Sequence, residues 1–411
     1  MNVLSHRIEE HIAQLSKFTS TPENGVTRVV YSEEDKKAKN YLKKEMKKLS
    51  LEVREDELGN IFGTWRGKNS ELSQVWTGSH VDAPINGGKY DGVVGVISAI
   101  EAIRLLQANN YKPERDIVIV VFVAEEPTKF GVGCLGSRAL TGMVTEEEAN
   151  DWQDENGQTL SDVLQSLGKD FKKIINEQLN PKKVKTFIEL HIEQGPVLEE
   201  VEKPIGIVNI ISAPTEISLT ITGEQRHAGS TPMEIRKDPV PAAAEIVLIV
   251  EKLTKRMSET SVGTVGHLKL TPSTSNVIAH QVELSIDIRD IKVEKKERIV
   301  NQLKVEVEKL IKKRGLTYKW EIKANDIPEK MNNANIELIK HCSESLGLTY
   351  HIMHSGAYHD ALIMSSKVNT NLIFIPSTKG ISHAPEEFTS TYYIAKGIEL
   401  LGEYFKKITI K

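Results

Sequence analysis

Residues Gly78–Gly92 read GSHVDAPINGGKYDG and place two potential metal ligands, His80 and Asp91, in one glycine-rich loop. The apolar pair Val75-Trp76 leads into this loop, and a helical pattern over residues 93–106 follows it. The order strand, loop, helix is typical of open α/β sheets, which bind ligands outside the carboxyl ends of their strands. Imidazole and carboxylate together suit zinc and similar first-row ions. A polar turn whose histidine and aspartate only hydrogen-bond the backbone is an equally good interpretation of this loop alone.

A second group of potential ligands follows the apolar, β-branched run of residues 116–124. Such a run predicts a strand covered on both faces, as in a parallel sheet. It ends in Glu125-Glu126, and two carboxylates at the end of a buried strand are costly unless they are paired or bind a metal. Because adjacent side chains on an extended segment point apart, one could bind a metal while the other acts as a base. A solvated acidic loop is the alternative.

Two histidines complete the set of candidates. His191 lies near the end of another predicted strand, residues 186–192, and His383 lies in the loop of residues 380–385. A single histidine beside apolar residues is more often a hydrogen-bonded core residue than a ligand. Spacing alone does not establish a metal site here, because the candidates form no short motif such as His-Glu-x-x-His.

The middle of the chain has a different pattern. Residues 216–222 and 282–289 alternate between apolar and polar side chains, which indicates half-exposed strands. With the helical runs at residues 240–257 and 293–314, and a last strand at residues 318–323, these elements match a ferredoxin-like unit, whose order is β, α, β, β, α, β. We expect an α/β domain of residues 1–210 and 328–411, with a mixed, largely parallel sheet and helices on both faces. Residues 211–327 would form the inserted α+β domain.

Composition narrows the class of protein. The 411 residues carry a formal net charge of −4, so no basic surface indicates nucleic-acid binding. Cys134 and Cys342 lie far apart and match neither a paired-cysteine zinc pattern nor a disulfide framework. Residues 1–10 lack the apolar core of a signal peptide, and no apolar run approaches the roughly 20 residues that a membrane span needs. We therefore expect a soluble, cytoplasmic protein that does not bind membranes.

Eight segments spread along the chain resemble, in order, the M20 metallopeptidase superfamily and, more closely, its hydantoinase/carbamoylase branch. They are GSHVDAPINGGKYDGVVGV, EEPTKF, HIEQGPVLE, GEQRHAGSTPM, TPSTSNVIA, DIRD, SGAYHDA and ISHAPEE. The branch contains N-carbamoyl-L-amino acid hydrolases, allantoate amidohydrolases and β-ureidopropionases. The resemblance implies a catalytic domain with an inserted lid and dimerisation domain, assembled as a homodimer. It also implies two divalent metal ions per subunit, zinc first, with manganese or cobalt as alternatives.

The resemblance implies metal-binding roles for five positions. His80, Asp91 and His191 would hold one ion. Asp91, Glu126 and His383 would hold the other, so that Asp91 bridges the two.

Three further positions acquire roles in catalysis. Glu125 would be the general base that activates a bridging water, and Asp82 would orient His80, as metal-bound imidazoles usually require. His227 would polarise the scissile carbonyl or stabilise its oxyanion, in cis or from the partner subunit. The alternatives are a turn cap for Asp82 and a local structural role for His227.

Besides His227, four positions are implied to contact the substrate. Asn276 and Arg289 would hold its carboxylate, a task that suits the planar, bidentate guanidinium. Gln194 is a further candidate. Tyr358 stands where relatives commonly have glycine and could narrow the pocket or redirect a substrate group. Without the resemblance, Arg289 would be interpreted as part of a surface salt bridge and Asn276 as a turn residue.

The implied reaction is hydrolysis of the ureido C–N bond of an N-carbamoyl-L-amino acid to the L-amino acid, carbon dioxide and ammonia. Allantoate amidohydrolase and β-ureidopropionase are alternatives within the branch, and an M20-type dipeptidase or aminoacylase is a more distant one. A non-catalytic metal-binding protein is the alternative from another class. The presence of Glu125 beside the ligand set argues against it.

Overall fold

The computed structural model describes residues 3–410. Contacts divide the described chain into two compact units. The first contains the described residues up to Asn209, Lys330–Ser355 and the described residues from His359 onward. The second contains Ile210–Glu329 and Gly356–Tyr358.

Helices and strands alternate through much of the described chain. The helices are α1 (Val3–Ser16), α2 (Glu33–Lys48), α3 (Val93–Ala108), α4 (Leu135–Leu140), α5 (Glu146–Asp151), α6 (Leu160–Ser166), α7 (Phe171–Asn176), α8 (Val197–Glu200), α9 (Pro239–Met257), α10 (Val293–Arg314), α11 (Asn333–Ser345), α12 (Asp360–Ser365) and α13 (Thr391–Ile410). The strands are β1 (Val26–Arg28), β2 (Glu52–Glu55), β3 (Ile61–Trp65), β4 (Gln74–His80), β5 (Ala83–Gly87), β6 (Ile117–Phe122), β7 (Val184–Ile192), β8 (Ile205–Ile211), β9 (Ala213–Thr222), β10 (Arg226–His227), β11 (Val262–Thr271), β12 (Val277–Ile278), β13 (Gln281–Asp290), β14 (Thr317–Asn325), β15 (Glu329–Lys330), β16 (Tyr350–Ser355) and β17 (Thr370–Ile375). None of the described helices is both long enough and apolar enough to cross a membrane.

The first unit is built on a mixed nine-stranded sheet. Its strand order is β15-β8-β17-β7-β4-β6-β3-β2, and β16 pairs with β8. The central strands β17, β7, β4 and β6 are parallel to one another, whereas β3, β2 and β8 add in antiparallel orientation. Parallel strands of this kind need cover on both faces, and all six residues of β6 are buried.

Successive residues of β7 show that helices cover both faces of this sheet. Leu190 lies against Gly397 of α13, whereas the carboxylate of Glu189 accepts a hydrogen bond from the backbone N–H of Ala361 in α12. Because adjacent strand residues point to opposite faces, α13 and α12 lie on opposite sides of the sheet. The predicted α/β class, with a largely parallel sheet between helices, is confirmed.

Several local predictions agree with the structure, and others differ. Ser32 caps α2 by accepting the N–H of Asp35, as its position before an acidic first turn predicts. Residues 83–87, which the sequence places in a loop, form β5 and pair with β1. Strand β8 was not predicted; its short apolar run becomes a strand through pairing with the distant β17.

The polar, acidic composition of residues 145–179 predicts surface helices, but these residues have a more structural role. They form α5, α6 and α7, and their buried side chains Leu160, Leu164 and Phe171 join a hydrophobic cluster with Val123 and Ala124. Val123 and Ala124 directly precede the paired glutamates. The short helices therefore cover the segment that leads into Glu125 and Glu126.

The second unit contains an antiparallel sheet of four strands in the order β11-β13-β9-β14. Ile217, Leu219 and Ile221 of β9 are buried in alternation with more exposed residues. They share a core with α9 and α10, which the apolar stripes of those helices complete. The order of strands and helices is that of the predicted ferredoxin-like unit.

Candidate active site

The candidate ligands gather at the carboxyl ends of adjacent parallel strands. His80 ends β4, His191 is the penultimate residue of β7, and Glu125 and Glu126 follow β6 after two residues. Since β4 lies between β7 and β6, the three strands deliver these side chains to one edge of the sheet. This is the position at which open α/β sheets bind their ligands.

Asp91 lies at the centre of the cluster. Its Oδ1 is 3.1 Å from Nε2 of His191 and 3.5 Å from Nε2 of His80. Its Oδ2 is 3.1 Å from Nε2 of His383, which lies 3.2 Å from Oε1 of Glu126. The two oxygens of one buried carboxylate therefore serve different imidazoles.

Two groups with the composition of a metal site share Asp91. The potential ligand atoms of His80, Asp91 and His191 lie within 4.8 Å of one another, and so do those of Asp91, Glu126 and His383. These are the two sets that the resemblance implies, and the structure brings all five residues together. A separate group with the same spacing, Glu189 with His191 and His359, lies behind the first; sequence reasoning did not single it out.

The histidines are oriented as metal ligands usually are. Nδ1 of His80 lies 3.1 Å from the carbonyl oxygen of Asp82, and Nδ1 of His191 lies 2.9 Å from the carbonyl oxygen of Ile192. The N–H of Gly92 donates to Nε2 of His191 at 3.0 Å, which assigns an acceptor lone pair to this atom. Imidazoles that bind a metal through one nitrogen commonly donate the other N–H to a carbonyl oxygen or a carboxylate. The donor set therefore fits a divalent first-row cation.

The electrostatics of the cluster are dominated by buried negative charge. Burial would raise the pKa of Asp91, but its contacts with the imidazoles of His191, His383 and His80 hold this pKa well below its usual range. Hydrogen bonds to Asp91 and Glu126 raise the pKa of His383 to about 11. The buried carboxylates thus stabilise positive charge placed between them, and they would stabilise a bound divalent cation in the same way.

Glu125 belongs to neither group of ligands. Its Oε2 lies 3.7 Å from Nε2 of His80, and the buried thiol of Cys134 donates to its Oε1 over 3.6 Å. Burial raises the pKa of Glu125 well above its usual range, with His80 opposing and Glu126 adding to the rise. A buried carboxylate with a raised pKa, next to a metal site but not part of it, is suited to accept and return a proton.

Asp82 holds both parts of this arrangement together. Its carboxylate accepts the backbone N–H groups of Glu125 and Glu126 at 3.3 and 3.0 Å. Its carboxylate Oδ1 is 3.6 Å from Nδ1 of His80, too far for a hydrogen bond. The backbone carbonyl of Asp82 accepts the hydrogen bond from the imidazole instead. Asp82 therefore orients His80, and it also fixes the backbone of the glutamate pair, a contact that the sequence did not reveal.

The backbone around the site is strained in several places. Ala124, Cys134, Gln194 and His383 all have positive φ angles, between 49° and 57°. Gly92 has φ of +62°, and a Cβ there would lie 2.5 Å from the His80 ring. Non-glycine residues with positive φ are uncommon and concentrate at functional sites.

Gln194, predicted to contact the substrate, hydrogen-bonds within the site. Its Nε2 donates to Oδ2 of Asp91 at 2.9 Å and lies 3.1 Å from the hydroxyl of Ser382. Ser382 in turn donates to Glu387, which also accepts the N–H of Asp91. Sequence reasoning missed Ser382 and Glu387, although both lie in the matched segment ISHAPEE.

His227 and Asn276 lie in the second unit. Strand β10 pairs with β12, which places His227 opposite Val277, and Ala228 donates its N–H to the carbonyl of Asn276. The ring is exposed, and its Nδ1 accepts two backbone N–H groups. The strand pairing therefore places His227 and Asn276, two predicted substrate contacts, next to each other. The backbone contacts of His227 are made by Nδ1 and not by Nε2.

Arg289 and Tyr358 also lie in the second unit. The guanidinium of Arg289 is bonded to Asp287 through Nε and Nη2 and to the carbonyl of Gly356 through Nη1 at 3.4 Å. The Tyr358 hydroxyl donates to Asp326 at 3.2 Å. Segment 356–358 therefore contributes both a neighbour for Arg289 and the tyrosine.

The fold and the site indicate a class of protein, the metal-dependent hydrolases: histidine and carboxylate side chains suited to bind metal gather at the end of a parallel sheet, with Glu125 beside them. The model of peptidase family M20/M25/M40 matches residues 74–407, and the chain belongs to this family. It is an amidohydrolase of the hydantoinase/carbamoylase branch, and enzymes of this family depend on metal.

Individual relatives match along almost the whole chain. A ureidoglycolate hydrolase from Oryza sativa subsp. japonica is 38% identical over 99% of this chain and 85% of the relative. An N-carbamoyl-L-amino-acid amidohydrolase from Pseudomonas sp. (strain NS671) is 34% identical over 98% of each chain. Crystal structures of AtUAH in complex with glyoxylate and with (S)-hydroxyglycine each match with a TM-score of 0.95, at 38% identity over 99% of this chain and 98% of theirs.

Proposed function

We propose that the protein hydrolyses the ureido C–N bond of an N-carbamoyl α-amino acid, and that its substrate is ureidoglycolate. The observation that carries the reaction type is the Asp91 carboxylate shared by two ligand groups, with Glu125 beside them and outside both. Likeness to a ureidoglycolate hydrolase at 38% identity supports the substrate. Likeness to an N-carbamoyl-L-amino-acid amidohydrolase at 34% identity is consistent with it.

The two names describe one chemistry. Ureidoglycolate is the N-carbamoyl derivative of hydroxyglycine. It is therefore an N-carbamoyl amino acid that differs from the others only in its side chain, a hydroxyl group. Addition of water to the ureido carbonyl and cleavage of the C–N bond give carbamate and hydroxyglycine. Carbamate decomposes to carbon dioxide and ammonia, and hydroxyglycine loses ammonia to leave glyoxylate. Complexes of AtUAH with glyoxylate and (S)-hydroxyglycine agree with this sequence of products.

We assign His80, Asp91 and His191 to one divalent ion and Asp91, Glu126 and His383 to a second, with zinc preferred over manganese or cobalt. When bound, such ions polarise a carbonyl oxygen and lower the pKa of water. Three imidazoles with carboxylates are a common zinc ligand set.

Proton transfer is assigned to Glu125. Its carboxylate takes a proton from the attacking water and returns it to the nitrogen that leaves. Burial raises the pKa of this carboxylate above its usual range, which makes it a stronger base toward the attacking water. Asp82 keeps Glu125 in place through the backbone N–H that it accepts. We assign stabilisation of the carbonyl oxygen to His227 and binding of the substrate carboxylate to Asn276 and Arg289.

A substrate panel tests the proposal. Metal-reconstituted protein is assayed for ammonia release from ureidoglycolate, allantoate, N-carbamoyl-L-methionine and β-ureidopropionate, and for amino-acid release from a dipeptide. Glu125→Gln protein is the control for contaminating activity. We expect the highest kcat/KM for ureidoglycolate, with glyoxylate as a product. A higher value for N-carbamoyl-L-methionine or allantoate would reassign the substrate within the branch. Activity on the dipeptide alone would overturn the reaction type.

We also propose that the protein is a homodimer that pairs through its second unit. Among the described residues, β11 is the outermost strand of the four-stranded sheet, and Val262 and Leu268 on it are 54% and 48% exposed. An open edge of this kind can pair with a second copy across a twofold axis. Sedimentation equilibrium should give twice the chain mass, and a monomer at micromolar concentration would contradict the proposal.

A further inference from the structure

One buried glutamate holds the backbone of the central carboxylate. Oε1 of Glu387 accepts the N–H groups of Tyr90 and Asp91 at 2.9 and 3.0 Å, and Oε2 accepts the hydroxyl of Ser382 at 2.6 Å. Glu387 is 2% exposed. Because Ser382 directly precedes His383, the Glu387 side chain connects the loop of Asp91 to the loop of His383.

A second set of contacts closes a ring. Nε2 of Gln194 donates to Oδ2 of Asp91 and reaches the hydroxyl of Ser382, at 2.9 and 3.1 Å. Hydrogen bonds thus run from the Asp91 carboxylate through Gln194, Ser382 and Glu387 to the Asp91 backbone N–H. We call these four residues the Glu387 ring. It fixes Asp91 at both its backbone and its side chain.

The sequence makes room for this contact. A Cβ on Gly88 would lie 2.0 Å from Oε1 of Glu387 and 2.5 Å from its Cβ. Only glycine at this position lets the carboxylate reach the N–H groups of Tyr90 and Asp91. The second glycine of the GGKYDG segment, Gly88, is therefore explained by the approach of Glu387.

We propose that Glu387 is a positioning residue, which holds Asp91 and His383 in the geometry of the second metal group. It acts through hydrogen bonds and touches neither substrate nor metal. Partners that orient the ligands of a metal site typically change metal affinity or activity roughly 10- to 100-fold when they are replaced. The inference rests on the proposed function, because it takes Asp91, Glu126 and His383 as ligands.

The experiment compares zinc affinity in Glu387→Ala, Glu387→Gln and Glu386→Ala proteins by competition with a chromogenic chelator, alongside their thermal unfolding. Glu386 is the adjacent, exposed glutamate and serves as the matched control. We expect Glu387→Ala to weaken the more weakly held zinc equivalent by roughly 10- to 100-fold. Glu387→Gln keeps one acceptor oxygen, so its zinc affinity should fall less. Glu386→Ala should bind zinc as tightly as the wild type does.

Ser382→Ala keeps Glu387 and removes one link of the ring, so it serves if Glu387→Ala does not fold. It should weaken the same zinc equivalent. A folded Glu387→Ala protein, or a Ser382→Ala protein, with wild-type zinc affinity would overturn the inference. The proposed substrate is judged separately, because zinc affinity is measured without it. Wild-type protein that binds two zinc ions but cleaves no ureido compound would refute the proposed reaction and leave the Glu387 comparison intact.

Discussion

Nε2 of His383 lies 3.1 Å from Oδ2 of Asp91, although the second unit separates the two residues in the sequence. The other oxygen of the same carboxylate lies at the same distance from His191. One aspartate thus connects an imidazole on the central strand β7 with one on a loop near the end of the chain.

This arrangement predicts different metal losses for different ligands. Asp91→Ala should lose both ions, because both groups share the carboxylate. His383→Ala should lose one and keep the group of His80 and His191. Elemental analysis after gel filtration measures the zinc content, with the exposed His354→Ala as control. Wild-type zinc content in Asp91→Ala would contradict the bridging role.

Substitution of the two adjacent glutamates should have different effects. Glu125→Gln should keep its zinc and lower kcat by roughly 10²- to 10⁴-fold, since general acid–base catalysis contributes about that much. Glu126→Gln should lose zinc from the His383 group. Kinetics and elemental analysis on both variants separate the two roles. Full turnover by Glu125→Gln would remove it from the mechanism.

Replacing Arg289 tests the proposed contact with the substrate carboxylate. Arg289→Ala should raise KM by roughly 10- to 100-fold, because hydrogen bonds to charged groups are worth about 1.5–3 kcal/mol. The exposed Arg298→Ala, in α10 of the same unit, should not change KM. Steady-state kinetics with ureidoglycolate and with its carboxamide provide the measurement. If Arg289→Ala raises KM by the same factor for both compounds, the arginine does not recognise the carboxylate.

If His227 acts from the partner subunit, two inactive variants should complement each other. Mixing His227→Ala with Glu125→Gln in equal amounts gives mixed dimers with one intact site each, and hence about a quarter of the wild-type activity. Subunit exchange is followed by native mass spectrometry. Exchange without recovery would place His227 in the same subunit as the site that it serves.

A buried charge network around Glu101 of α3, which belongs to neither candidate ligand group, predicts the response to acid. Glu101 receives hydrogen bonds from Arg7, His11 and Arg104, and these outweigh its burial and lower its pKa to about 2. Because the folded pKa is below the ordinary value of 4.5, its contribution is complete above that pH and is lost as pH falls toward 2.

Glu101→Gln should therefore lower the free energy of unfolding by roughly 3 kcal/mol at neutral pH and much less at pH 3. Urea unfolding of the metal-free protein at both pH values provides the measurement. The exposed Glu10→Gln is the control. An equal loss at both pH values would mean that packing, not charge, accounts for the effect.

Local patterns were sufficient for most secondary structure. The apolar run before Glu125 predicts β6, and the alternation around Leu219 predicts a half-buried strand, because each pattern follows the geometry of a single element. Strand β8 and the short β5 escaped prediction, since their identity as strands comes from pairing with distant partners. For the same reason residues 145–179 were placed on the surface, although Leu160 and Phe171 are buried.

The sequence by itself determined the family, the α/β architecture and the residue types at the centre, because matched segments and periodicity are properties of the chain. The resemblance implied that Asp91 is shared between the His191 and His383 groups, but tertiary structure alone decided the distances between them and the contacts with Glu387 and Gln194 that hold Asp91 in place. These contacts join segments that are distant in sequence. Hydrogen bonds of this kind depend on distances of about 3 Å, which only the packing of the sheet, its helices and its loops can set.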